Sequence, residues 1–370
     1  MINIAFTGGG TGGHIYPALA VAFELNKLYS GKYRLIWIGS SSGMDRRIVE
    51  DAGIEFFGVS SGKLRRYFSF KNFFDLFKVC AGFFAARKIL KKQKIKMLFS
   101  KGGFVSVPPC AAAASLKITV FTHESDFSPG LATRINTRFA LRTGGRIFTA
   151  YEDTAAFFPE AIRDRITVCG NPVRSAFRTA DAARGKAFLG VDGNARILLV
   201  LGGSQGAKEI NDLVCASLNE LTESYTVVHQ TGPGQSWDIK GSEKYKPFAY
   251  IKDEMPDVMA AAELVAGRSG AGIWEWAVCG NPMLLIPLTG SGTRGDQLEN
   301  ALFFEKKGAA LILKGGEANP REFVKTVKLI ADDNKKREEM AAASSVIGKI
   351  ESVELIARIL GESINEFKRD

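Results

Sequence analysis

Short runs of branched apolar residues recur along this chain, separated by longer stretches of helical periodicity. Ile197–Leu201 (ILLVL) is the clearest run, with the length and branching of a strand buried on both faces. Gly202, Gly203 and Gly206 end it, and Ala207–Asn211 opens a helical pattern. The chain begins the same way: Ile2–Phe6 reads as a strand, Thr7–His14 (TGGGTGGH) as a glycine loop, and a helix is expected from about Tyr16. Further strands are expected at Arg34–Ile38, Met97–Phe99, Ile118–Thr122, Arg146–Thr149 and Ile166–Val168. In the second half they are expected at Val227–His229, Ala249–Ile251, Leu264–Ala266 and Met283–Ile286. Strands alternating with helices build a parallel sheet covered on both faces. Since the pattern starts twice, two similar α/β halves are expected, facing each other across a cleft into which each aims a glycine loop. GNPVR (Gly170–Arg174) reads as the crossing between them. The expected divisions are residues 1–168, residues 169–345, and an amphipathic C-terminal helix within 346–370 that packs across either half.

Ligands of such sheets bind beyond the carboxyl ends of the strands. In the first half that edge collects Thr7–His14, Gly39–Gly43, Ser100–Gly103 and His123–Asp126. A strand that runs through glycines into a helix start points backbone N–H groups and the positive helix end at one spot, which suits a phosphate. Gly8-x-Gly10-x-x-Gly13 formally matches the dinucleotide fingerprint, but the next strand ends Ile38-Gly39-Ser40 with no acid for a ribose. Gly202-x-Ser204-x-Gly206 formally matches a hydrolase nucleophile elbow, yet only His229 follows it, at the end of the very next strand, with no acid between in a plausible loop. Phosphate cradling, with Ser204 as an extra donor, is the better reading. Of the three histidines, His14 closes a glycine loop, where an imidazole suits general-base work near neutral pH or a purely hydrogen-bonding role. Glu275 and Gln297 stand out because both follow strand ends of the second half, in reach of sugar hydroxyls.

Composition narrows the class. A chain of 370 residues with 46% hydrophobic content supports two domains with full cores. Five scattered cysteines, with no C-x-x-C pair, argue for reduced thiols and against structural zinc. Met1 runs directly into a strand, so no signal peptide is expected, and no stretch approaches the roughly 18 apolar residues that span a bilayer. No D-x-D-type acidic pair lies beside a strand end, so no bound metal and no cofactor is expected.

The net charge of +10 is local: Lys63–Lys96 holds eleven Lys/Arg against Asp75 alone, and the rest of the chain is balanced. Phenylalanines interleave with these cations. Phe73, Phe77 and Phe84 share one helical face and are expected in the core, whereas Phe68 and Phe70, beside Arg65 and Arg66, are freer to be exposed. The segment carries no nucleic-acid-binding motif, so nucleic acid is not expected as a partner. Lys63, Arg65, Arg66, Phe68, Phe70 and Lys71 are the expected contact with an anionic membrane surface.

GGGTGGH at the N-terminus, SKGGFVSVP, HESD followed by PGL, GNPVR, LGGSQGA, RSGAG with a later glutamate, and RGDQ-x-x-NA occur in that order. Together they resemble the MurG family, which adds N-acetylglucosamine to undecaprenyl-diphospho-muramyl-pentapeptide (lipid I) to make lipid II at the cytoplasmic face of the bacterial cell membrane. The resemblance implies a GT-B fold of two Rossmann-like domains, UDP-GlcNAc held mainly by the second, and a peripheral membrane location. It implies that Arg174, Ser204 and Gln205 meet the donor diphosphate, Ile251 the uracil through its backbone, Glu275 the ribose and Gln297 the GlcNAc hydroxyls. Thr11, Gly12, Gly13 and His14 are then expected at the reacting centre, with His14 the base and Glu124 its alternative. Asp126 stands where many members carry asparagine (HEQN) and is expected beside the donor. Two other classes share parts of this pattern. A UDP-GlcNAc epimerase would use the donor site but not the basic segment, and a non-catalytic membrane-binding protein would use the basic segment but not the glycine loops.

Overall fold

The structure is a computed structural model that describes residues 2–10, 12–41, 45–62, 70–234, 243–290 and 293–367, with backbone alone for 70–74. The chain forms two compact units, one of residues 1–173 with 351–370, the other of residues 174–350. Among the described residues the first unit holds a seven-stranded sheet of order β3-β2-β1-β4-β5-β6-β7. Its strands are β1 (Ile2–Thr7), β2 (Tyr33–Ser40), β3 (Glu55–Val59), β4 (Ile95–Ser100), β5 (Thr119–Glu124), β6 (Ile147–Thr149) and β7 (Ile166–Val168). The second unit holds a six-stranded sheet of order β10-β9-β8-β11-β12-β13. There the strands are β8 (Ile197–Leu201), β9 (Thr226–Gln230), β10 (Tyr245–Phe248), β11 (Leu264–Gly267), β12 (Met283–Leu285) and β13 (Ala310–Ile312). Every pairing is parallel.

In each sheet the chain builds outward on one side of the first strand and then returns to build the other side. The topological switch therefore lies between β1 and β4, where Thr7 is level with Ser100, and between β8 and β11, where Leu201 is level with Gly267. A crevice opens at the carboxyl ends of strands at such a point. Both glycine loops leave the sheet there.

Side-chain alternation sends Ile4 and Phe6 to one face of the first sheet and Ala5 to the other. The first face is covered by the helix Gly12–Tyr29 and by the C-terminal helix Ser352–Glu366, whose Ile356, Ala357, Leu360 and Ile364 join the same core. Gly361 lets that helix close on the other, since a side chain here would collide with the Tyr29 ring. The opposite face is covered by the helices Phe70–Lys92 and Val107–Ser115, through Ala86, Leu90, Cys110, Ala112 and Ala113. In the second unit the helices Lys208–Ser224 and Pro320–Ala331 bury Ile210, Val214, Phe323 and Val327 against Leu198 and Val200.

Several elements differ from expectation. The first helix starts at Gly12 and not at Tyr16, so it runs through Pro17 and gives up the hydrogen bond that Pro17 cannot donate. Edge strands β3 and β13 were not expected, and the strand expected at Ala249–Ile251 lies at Tyr245–Phe248 instead. β10 contains Pro247, which an edge strand tolerates. The largest correction concerns Phe77 and Phe84, which were expected in the core and are 61% and 67% exposed. The helix Phe70–Lys92 meets the sheet through Ala86 and Leu90, a different face.

Candidate functional site

In the first unit, the ends of β1, β4 and β5 bring together the loops expected to carry chemistry. His14 sits in the first turn of its helix, half-buried, facing the backbone of Gly102 and Gly103: a Cβ on Gly103 would lie 3.6 Å from the imidazole carbons. Gly12 and Gly13 share that turn, and Thr11 lies outside the described residues. The glycine loop ahead of it is held from within. Asp45, buried after β2, accepts the Gly10 N–H at 3.1 and 3.2 Å and the Ser40 N–H at 3.4 Å, and a side chain on Gly9 would collide with its carboxylate. Burial pushes the Asp45 carboxyl up, against the lowering effect of those amides.

Glu124 closes β5. Its carboxylate accepts the N–H groups of Ser125 at 2.8 Å, Asp126 at 2.9 Å and Gly130 at 2.9 Å. Those bonds make Glu124 the frame of the 124–130 loop, with Asp126 half-buried beside it. Buried Lys101, in the loop after β4, donates to the Ser125 hydroxyl. His123 is buried and donates from Nε2 to the Gly170 carbonyl at 3.0 Å. Burial, and then the Lys101 charge, hold this imidazole neutral.

In the second unit, the loop after β8 is a tight turn closed by Gly206 N–H to the Gly203 carbonyl at 3.1 Å, directly ahead of the helix Lys208–Ser224. Gly206 has φ 75° and lies against the Thr231 carbonyl, where no side chain fits. Ser204 is half-buried and Gln205 exposed on this turn. Gln230, at the end of β9, joins it to the loop after β10. Its amide nitrogen donates to the Gly203 carbonyl at 3.5 Å, and its oxygen accepts the Ile251 N–H at 3.0 Å. A base read by the Ile251 backbone therefore meets the carbonyl, or displaces Gln230 from the N–H.

Arg174 and Glu275 form an ion pair at 3.7 Å, and the Arg174 guanidinium lies over the Phe177 ring. Burial raises the Glu275 carboxyl, and Arg174 opposes the shift. Gln297, in the first turn of the helix Asp296–Lys306, accepts the Leu288 N–H at 2.9 Å through its side chain, and its carbonyl accepts the Ser269 hydroxyl at 2.7 Å. His229 is a core residue. It bridges Asn211 and Tyr245 at 3.1 Å each, and burial pushes its pKa down to about 4.

Sequence reasoning missed Asp45, Lys101 and Gln230. Lys101 stands inside a motif it did single out, SKGGF, Gln230 directly follows the strand expected at Val227–His229, and Asp45 follows the strand end where an acid was sought. Of the basic segment, Lys63, Arg65, Arg66 and Phe68 lie outside the described residues, as do the side chains of Phe70 and Lys71. The rest of the helix exposes Leu76, Phe77 and Phe84, with Lys88, Lys91 and Lys92 exposed further along. No described helix is long and apolar enough to cross a membrane.

Two Rossmann-like units, each with a glycine loop at its topological switch, make the GT-B fold of nucleotide-sugar enzymes. Residues 4–144 match the glycosyltransferase family 28 N-terminal domain and residues 197–358 its C-terminal domain, and the chain belongs to that family. It is 46% identical, over 96% of each chain, to the UDP-N-acetylglucosamine–N-acetylmuramyl-(pentapeptide) pyrophosphoryl-undecaprenol N-acetylglucosamine transferase of Treponema denticola. The protein of the same name from Shouchella clausii is 43% identical over 85% of this chain and 86% of its own. Among solved structures, Acinetobacter baumannii MurG superposes with a TM-score of 0.73 at 22% identity, covering 98% of this chain and all of that one, which places the fold alone.

Proposed function

We propose that this chain moves N-acetylglucosamine from UDP-GlcNAc to the MurNAc 4-hydroxyl of undecaprenyl-diphospho-MurNAc-pentapeptide, with inversion. The observation that carries the reading is the 46% identity, over 96% of each chain, to the Treponema denticola transferase of that name, beside family 28 membership over both units. In the reaction the acceptor oxygen bonds to the anomeric carbon while the bond to UDP breaks, and the hydroxyl proton passes to a base. His14, half-buried in its helix turn, is the proposed base, and the glycine edge formed by Gly12 and Gly13 admits the acceptor. Glu124 shapes the neighbouring loop through its three amide bonds.

On the donor side, the turn at Gly203–Gly206 and the start of the helix behind it stabilise the leaving diphosphate, together with Arg174, Ser204 and Gln205. Glu275 takes the ribose hydroxyls and Gln297 those of GlcNAc, while Ile251 lies at the uracil. Donor binding gives Arg174 and Glu275 each a new partner in place of their ion pair. The test is UDP release from UDP-GlcNAc with and without a short-chain lipid I analogue. Release that depends on the acceptor is expected, and release that ignores it sinks the reading.

The enzyme works as a peripheral protein at the anionic, cytoplasmic face of the cell membrane. The exposed Leu76, Phe77 and Phe84, followed by Lys88, Lys91 and Lys92, have the composition of a helix that lies on a membrane surface. The basic residues Lys63, Arg65, Arg66 and Lys71 and the neighbouring Phe68 and Phe70 extend it in sequence.

A further inference from the structure

The loop after β4 buries a cation beside the carboxylates of Glu124 and Asp126. Lys101 is 1% exposed. Its N–H is given to the Thr7 carbonyl at 2.9 Å, and its stem packs beside Gly8, where a Cβ would lie 3.3 Å away. Its ammonium donates to the Ser125 hydroxyl. Glu124 at the end of β5 and Asp126 in the loop after it attract the ammonium, while His123 faces it from β5. Lys101 thus ties together the loops after β1, β4 and β5.

A buried ammonium is a poor stabiliser, because an apolar side chain of the same size avoids the desolvation cost. Burial here drives the Lys101 pKa down to about 8, against the pull of Glu124 and Asp126. The cation earns its place through what the edge must bind. In the reaction proposed above, the acceptor carries a diphosphate, and two carboxylates at this edge repel it.

We propose that Lys101 is a positioning residue for the acceptor diphosphate: its ammonium offsets Glu124 and Asp126 and fixes the Ser125 loop, so that the edge accepts an anion. This rests on the transferase reading above. Binding of a short-chain prenyl-diphospho-MurNAc-pentapeptide by titration calorimetry tests it, beside donor and acceptor KM. Lys101→Met is expected to weaken acceptor binding and raise acceptor KM by roughly ten- to a hundredfold, with donor KM held within about twofold, the scale of a lost charge-assisted contact. Adding Asp126→Asn to Lys101→Met is expected to restore part of the affinity, because one of the two uncompensated charges is gone. Asp126→Asn alone is expected to bind the acceptor at least as tightly as the parent, which keeps the test alive should Lys101→Met fail to fold. Unchanged acceptor affinity in Lys101→Met, equal loss of donor and acceptor affinity, or further weakening by Asp126→Asn overturns the proposal. A parent protein that binds the acceptor but transfers nothing strikes the transferase reading alone.

Discussion

At the scale of the residue, His14, Glu275 and His229 separate three uses of a titratable group. A general base supplies about 10²–10⁴-fold in rate, so with His14 as the proposed base, His14→Ala is expected to lower kcat by that order and leave the KM for UDP-GlcNAc nearly intact. A fall of less than about threefold makes His14 a structural member of its helix turn, on the same scale. Glu275→Ala removes the proposed ribose contact and the 3.7 Å ion pair with Arg174. A donor KM raised roughly ten- to a hundredfold is expected, and unchanged donor kinetics dismiss the assignment. His229 is buried neutral at a pKa of about 4, against 6.5 unfolded. Between those values the unfolded chain holds the extra proton, so stability rises with pH across this window. About 3 kcal/mol present above pH 6.5 is lost as pH falls to 4. Urea midpoints measured across that range should slope less steeply in His229→Gln than in the parent.

The candidate residues were legible where a motif fixed both type and place: Ser204 on its turn, Glu275 behind RSGAG, His14 at the first glycine loop. Lys101 and Asp45 were not. Their meaning comes from partners far away in sequence, Ser125 for one and Gly10 for the other. No local period encodes such a pairing.

At the scale of the element, the runs that are buried on both faces read correctly, because a parallel sheet leaves no alternative for ILLVL. Of the edges, β7 lies where expected and the others read poorly. β13 is three residues long, β3 (EFFGV) contains Gly58 and β10 contains Pro247, so length or composition hides each of them. In the helix Phe70–Lys92, apolar residues lie on more than one face, and periodicity alone put Phe77 and Phe84 inside. Their exposure makes a prediction about docking. Phe77→Ser with Phe84→Ser is expected to weaken binding to phosphatidylglycerol or cardiolipin vesicles at high salt, where the cations are screened. Lys88, Lys91 and Lys92 changed to glutamate should weaken it chiefly at low salt, by about 1 kcal/mol per residue near the surface. Vesicle sedimentation unaffected by either set assigns the membrane contact to another part of the chain.

At the scale of the whole molecule, the first unit is completed by the last residues of the chain. Leu360 is fully buried against the helix Gly12–Tyr29, so Leu360→Ala is expected to cost about 2–5 kcal/mol, visible as a lowered melting temperature. The arrangement also orders events during synthesis. When the ribosome has made the first 173 residues, the sheet they form still lacks the helix that covers part of one face, and Ile356, Ala357, Leu360 and Ile364 have yet to be translated. Residues 174–350 carry their own core and emerge meanwhile. A message cut short near its end therefore releases the second unit whole and the N-terminal unit with bare apolar surface, the kind of chain that chaperones and proteases capture.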